Sequence, residues 1–104
     1  MSSPTQRSKE YLESQGYLVA IVERWNSFAK VRQDLFGFID LLAVREGETV
    51  AVQTTSRSNM SARARKIAEH QNTAAVRKAG WQIVIHGWAK DTKGRWGVKV
   101  QDVS

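Results

Sequence analysis

There is no cysteine in this chain of 104 residues, which excludes disulfides and thiolate metal sites. Histidine occurs only at His70 and His86, too few for a conventional zinc site. No apolar run approaches the roughly 20 residues that cross a bilayer. The opening residues MSSPTQRSKE lack the apolar centre of a signal peptide, so a cytoplasmic chain with no membrane partner is expected. Proline occurs once, at Pro4. Acidic residues are scarce in one half: residues 57–104 hold three Asp/Glu against ten Lys/Arg, whereas residues 1–56 hold seven against six. That asymmetry points to a polyanionic partner, since clustered Lys and Arg attract phosphates. What remains, 41% hydrophobic and 25% charged residues, is globular material for one domain with a single modest core.

The segments read in order as helix, three strands, helix and two strands. Pro4 to Gln15 predicts a helix, with Ser3 or Ser2 as cap, Pro4 in the first turn and Tyr11 and Leu12 as a thin apolar stripe. Gly16 ends it. Tyr17 to Val22 is a continuous apolar run, expected as a strand buried on both faces. Arg24 to Phe36 shows no period and reads as a loop. Its Trp25 and Phe28, set among Arg24, Lys30 and Arg32, either cover one end of the core or stack on bases. Ser58 to Ala79 predicts one long helix, capped by Ser58 or Asn59, with Met60, Ala64, Ile67, Gln71, Ala75 and Ala79 inward. Trp81 to Ile85 reads as a strand, with His86, Gly87 and Trp88 just past its end. After a polar turn at 90–94, Arg95 to Val100 is the last strand. A helix between the third and fourth strands permits a right-handed parallel crossover, hence an α/β fold with a mixed central sheet and helices on its faces.

The stretch Gly37 to Thr55, GFIDLLAVREGETVAVQTT, carries the chemistry. Two apolar runs flank a charged turn, and each holds one polar residue, Asp40 or Gln53. A hairpin closed by Arg45, Glu46, Gly47 and Glu48 pairs Val44 with Thr49 and, counted inward, sets Asp40 opposite Gln53 on a shared face. A pair so placed can hold one ion or one substrate group. Asp40 in an apolar strand can equally be structural, bonded to a loop amide; either way its burial requires a partner.

This element order, with FGFIDLLAVREGETVAVQTT at its centre, resembles the core of the PD-(D/E)xK nuclease superfamily, the restriction-endonuclease-like fold shared with Holliday-junction resolvases. ERWNSF, RQDLFGFIDLLAV, VAVQTTS, SARARKI and the late HGW are similar to short phage- and bacteria-associated members, over roughly residues 5–88. The resemblance implies a bacterial or phage-infected host cell, Mg²⁺ or Mn²⁺ as cofactor, and phosphodiester hydrolysis of DNA, with RNA as a further polyanion. It assigns Asp40, Gln53 and the Thr54 carbonyl to the metal. Thr55 falls at the lysine position, where it brings no ammonium; Lys66 or Arg63 from the following helix is the candidate replacement. Glu10 and Glu23 are the candidate additional acids. Lys30, Arg32, Arg57, Arg63, Arg65 and Lys66 are the expected nucleic-acid contacts, and His86 reads as a strand-end residue rather than a catalytic base. Three functions follow in order: a small metal-dependent endonuclease or resolvase, acting as a homodimer or reading DNA structure; a nucleic-acid-binding module without catalysis; and a phage-type protein-interaction factor.

Overall fold

A computed structural model describes residues 3–104 and contains a five-stranded mixed sheet covered by helices on both faces. The first helix, α1, spans Pro4–Ser14. Ser3 Oγ accepts from the Gln6 N–H at 3.1 Å, closing the first turn as a helix cap should; Ser2, the other capping candidate, lies outside the described residues. The strands are β1 (Leu18–Ile21), β2 (Arg24–Asn26), β3 (Val31–Gln33), β4 (Leu41–Arg45), β5 (Glu48–Ser56), β6 (Gln82–Lys90) and β7 (Trp96–Asp102). Two further helices, α2 (Met60–Glu69) and α3 (Thr73–Lys78), lie between β5 and β6. The main sheet runs in the order β1-β4-β5-β6-β7, with only β5 and β6 parallel, so α2 and α3 form the expected crossover.

Each face of the sheet buries one cluster. Under α1, Leu12 packs with Val19, Leu41, Ala43, Val50 and Val52. Under α2 and α3, Ile67 and Val76 pack with Phe38, Ile39, Ala51 and Ile85. Full burial of one such aliphatic side chain stabilises by about 1.5–3 kcal/mol. The inward positions of α1 are Thr5, Ser8 and Leu12, one apolar and two polar. That helix therefore seals the core at its C-terminal end and presents hydroxyls at its N-terminal end.

Several boundaries differ from the sequence reading. The run beginning at Tyr17 is an edge strand, not a doubly buried one: Leu18 is 75% and Ile21 46% exposed. Residues 24–36 are not a plain loop, because β2 and β3 pair as a separate hairpin. Asn26 Oδ1 accepts from the N–H groups of Phe28 and Ala29, and Lys30 takes a left-handed φ of 54°, which closes the turn. Trp25 and Phe28 cover no core; Phe28 is 99% exposed at the hairpin tip.

The expected long helix breaks at His70–Asn72. His70 turns extended, its Nδ1 accepts the Asn72 N–H, and the Thr73 hydroxyl donates to the Ile67 carbonyl. These local bonds offer the backbone an alternative to helix. The break rotates the inward face, so Thr73 and Val76 are buried while Gln71, Ala75 and Ala79 are exposed. Neither Ser58 nor Asn59 makes a side-chain cap; a 3₁₀ turn, Arg57–Asn59, leads into α2 instead. Finally, β6 continues through His86, Gly87 and Trp88 because β7 pairs along it as far as Lys90↔Trp96. Gly87 lets the Met60 side chain pack against the strand: a Cβ there would force that side chain to shift.

Candidate functional site

The hairpin register is the expected one from Arg45↔Glu48 through Val44↔Thr49 to Leu41↔Val52. Beyond it the ladder is disturbed. Val52, already opposite Leu41, also accepts the Asp40 N–H at 2.9 Å, so two residues share one partner in the manner of a β-bulge. Bulges re-aim side chains at strand ends. Asp40 accordingly does not share a simple face with Gln53. Its Oδ2 accepts from Gln53 Nε2 at 2.8 Å, from the Thr54 N–H at 2.8 Å and from the Thr54 hydroxyl at 3.2 Å. Gln53 and Thr54 point to opposite faces of β5, so the carboxylate sits at the rim between them. Asp40 thus bonds directly to the Gln53 side chain and to a backbone N–H of strand β5 rather than of a loop.

Two more carboxylates converge on Asp40. The next loop back explains one of them. Leu35 bridges to Ile39, Phe36 and Gly37 take left-handed φ values of 55° and 92°, and Gly37 packs where any Cβ would strike the His70 ring. This tight reversal returns Asp34 to the neighbourhood of Asp40. Glu23 arrives from the chain just past β1, where the Val22 N–H donates to the Asp40 carbonyl at 2.9 Å. Ligand oxygens of Glu23, Asp34 and Asp40 lie within 4.8 Å of one another.

The cluster opens into a polar cavity of about 520 Å³, also lined by Gln53, Thr54 and Thr55. From α1, the Thr5 hydroxyl donates to Glu23 Oε1 at 3.0 Å and lies 3.0 Å from the Thr54 hydroxyl. Burial pushes the Asp40 carboxyl up to about 8; the Thr54 N–H opposes the rise, while the charge of Asp34 and hydrogen bonds with Glu23 and Asp34 add to it. Three acids so close do not all ionise without a compensating cation. Arg32 Nη1 offers part of one, 2.9 Å from Glu23 Oε1, and Lys66 Nζ lies 3.9 Å from Asp34 Oδ2.

One further group is unsatisfied. Gln53 is 3% exposed, and with its Nε2 committed to Asp40 its Oε1 has no hydrogen-bond partner. A buried carbonyl oxygen left without a partner costs about 1–3 kcal/mol. Gln53 belongs to the lining of the acid-bearing cavity, and an oxygen in need of a partner is the kind of ligand a hard cation prefers. The Thr54 carbonyl also points toward the Asp40 side, because N–H and C=O of one strand residue project in the same direction.

The remaining sequence candidates divide. Glu23, Arg32, Thr55, Arg63 and Lys66 all line the cavity. Glu10 does not; it is exposed on the outer side of α1 and accepts a 3.4 Å bond from Gln6 Nε2. Lys30 sits in the turn of the β2–β3 hairpin, Arg65 is exposed on α2, and Arg57 lines a neighbouring cleft. Sequence reasoning missed Asp34. Its signal was the spacing DLFGFID: an acid six residues before Asp40 with a glycine between, which a tight reversal brings together.

His86 is buried within β6, not at a strand end, and stands away from the cavity lining. Its Nδ1 lies 2.9 Å from Ser8 Oγ, which also accepts from Trp88 Nε1 at 2.8 Å. Burial lowers the imidazole to about 4, so it is neutral at physiological pH. No family model matches this chain, and no curated protein matches it either.

Proposed function

We propose that the protein is a small metal-dependent deoxyribonuclease. The observation that carries this reading is the convergence of Glu23, Asp34 and Asp40 with the unpartnered Oε1 of Gln53 in one polar cavity. All four are oxygen donors, the set that suits Mg²⁺ or Mn²⁺ rather than a softer metal. A bound ion of this kind polarises a phosphoryl oxygen and lowers the pKa of an attacking water.

The chain's own residues do the rest. Asp40 is anchored by Gln53 and Thr54, so its carboxylate is oriented before any ligand arrives. Thr5 orients Glu23 from the opposite wall. Arg32, Arg63 and Lys66 surround the acids and supply positive charge for a phosphate that approaches them. Thr55 brings only a hydroxyl to the lysine position of the nuclease motif that the sequence resembles, and Lys66, already beside Asp34, is the ammonium nearest that role. The test is cleavage of supercoiled, linear, single-stranded and four-way-junction DNA with Mg²⁺ or Mn²⁺, wild type against Asp40→Ala and Asp34→Asn. Cleavage that survives both substitutions refutes the site.

A second reading, a nucleic-acid-binding module of the same fold without hydrolysis, is favoured by one observation: no cationic side chain occupies the buried strand position of Thr55. Binding without cleavage under either metal decides for it.

A further inference from the structure

Beside the acid-lined cavity lies a second recess of about 540 Å³ with the opposite chemistry. The two share Pro4 and Ser56 on their walls, so they adjoin. Where the first sets carboxylates against Arg32, Arg63 and Lys66, the second holds Arg7, Arg57, Lys90, Trp88 and Trp96, and no acid lines it. Trp96 stands at the start of the edge strand β7, paired across to Lys90. The Arg7 guanidinium lies 3.6 Å from the centroid of its ring and 5.7 Å from that of Trp88, and Lys90 Nζ is 5.3 Å from Trp96. The indole is thus held in place by cation–π contacts, yet Trp96 remains 46% exposed. Among the described residues neither Arg57 nor Lys90 takes part in an ion pair. The Arg57 side chain donates to the Gly97 carbonyl over a long 3.4 Å.

An immobilised, half-open indole flanked by cations with no carboxylate suits one class of ligand: a planar ring joined to a phosphate. Within a duplex the faces of each base are covered by its neighbours, whereas an unpaired base offers its face to an aromatic side chain. We propose that this cleft binds one unpaired nucleotide of the strand that enters the acid-lined cavity, its base against the exposed part of Trp96 and its phosphate between Arg57 and Lys90. This rests on the nuclease reading for which strand is engaged, and it makes the substrate a strand with an unpaired nucleotide beside the scissile phosphate.

The test is fluorescence anisotropy of the full chain with labelled oligonucleotides in Ca²⁺. The probes are a single strand, a blunt duplex of the same length, and the single strand carrying one abasic position moved along it. Trp96→Ala is expected to weaken single-strand binding roughly 5- to 150-fold, the worth of one stacked base, and to leave duplex binding within about twofold. Trp96→Phe, which keeps an aromatic face, retains most of the affinity and guards against a folding defect. One abasic position should weaken wild type to the level of Trp96→Ala while costing that variant nothing further. Equal losses on single strand and duplex, or an abasic scan without effect on wild type, overturn the cleft. The two readings fail separately. Asp40-dependent cleavage with no Trp96 effect removes the cleft and keeps the nuclease; a Trp96-dependent preference for unpaired DNA without cleavage does the reverse.

Discussion

The two adjoining recesses differ less in size than in what each leaves uncompensated. In the first, three carboxylates and the Gln53 carbonyl oxygen are drawn together at the buried end of the hairpin, with Arg32, Arg63 and Lys66 on the same walls. In the second, cations and an indole are exposed, with positive charge in excess. The buried set calls for a small, hard cation; the exposed set calls for a larger anion. Under the proposed function a nucleic-acid strand with its metal would satisfy both at once, and the shared wall at Pro4 and Ser56 would let one strand reach both recesses.

The sharpest way to break this contrast is to remove Asp40. Asp40→Ala is expected to lower the cleavage rate by roughly 10³-fold, several kcal/mol of transition-state stabilisation, while Trp96→Ala leaves the cleavage rate of bound DNA unchanged and alters affinity. Single-turnover cleavage at saturating protein separates the two. Equal rate losses in both variants would mean that the recesses are not chemically distinct.

The second prediction concerns pH. The Asp40 carboxyl is raised to about 8 in the folded protein from 3.8, so the folded chain holds a proton that the unfolded chain has lost, and stability falls as pH rises from about 4 to about 8. His86 runs the other way. Lowered to about 4 from 6.5, it contributes stability above 6.5 that is lost as pH falls toward 4. Between about 4 and 6.5 the two slopes oppose. Above 6.5 only Asp40 of the two remains, and metal-free protein should lose stability steadily as pH rises toward about 8. Asp40→Asn flattens that limb. Mg²⁺ added at pH 8 restores stability and releases protons as it binds. Urea melts at pH 6.5 and 8 check this, and a wild-type limb that is already flat contradicts the buried acid.

The hairpin and its partners were readable in the sequence because register follows from turn length: Glu46 and Gly47 between two apolar runs leave little choice. So was the crossover that makes β5 and β6 parallel. Four features were not readable, each for its own reason. The break at His70–Asn72 depends on side-chain bonds that compete with helix only because Asn72 also reaches the Phe36 carbonyl across the fold. The exposure of β1 depends on sheet order, since an apolar run of four looks the same at the edge as in the centre. Asp34 depended on a reversal through left-handed Phe36, a conformation a sequence assigns readily to Gly37 but not to a phenylalanine. The cation–tryptophan cleft escaped for a similar reason: Arg7, Arg57 and Trp96 lie far apart in the chain and meet only once β7 is laid against β6.

Lys66 tests whether the first recess needs a cation of its own. Its Nζ stands 3.9 Å from Asp34 and the Lys66 side chain is 38% exposed, so the ion pair itself adds little stability. Lys66→Gln is therefore expected to change the melting temperature little but to slow cleavage about tenfold or more through lost charge stabilisation. Thr55→Lys in that background should recover part of the rate if the strand position faces the same phosphate. Full activity in Lys66→Gln would assign the role to Arg63 instead.

The smallest effect is the most direct comparison of the two recesses, because it changes one charge in each. Arg57→Ala removes a cation from the second, and the slope of log K against log salt for single-strand binding should become shallower by about 0.7 for the one phosphate no longer neutralised. Asp34→Asn removes an anion from the first. Without metal, that substitution relieves repulsion between DNA and the acid cluster, so affinity should rise a few-fold; in Ca²⁺ the same substitution weakens the cation site and affinity should fall. A sign that reverses with metal at Asp34 and stays constant at Arg57 is what opposite chemistry in adjoining recesses requires. If Asp34→Asn instead behaves identically with and without metal, the carboxylates act as structure, and the cation-lined recess alone accounts for nucleic-acid binding.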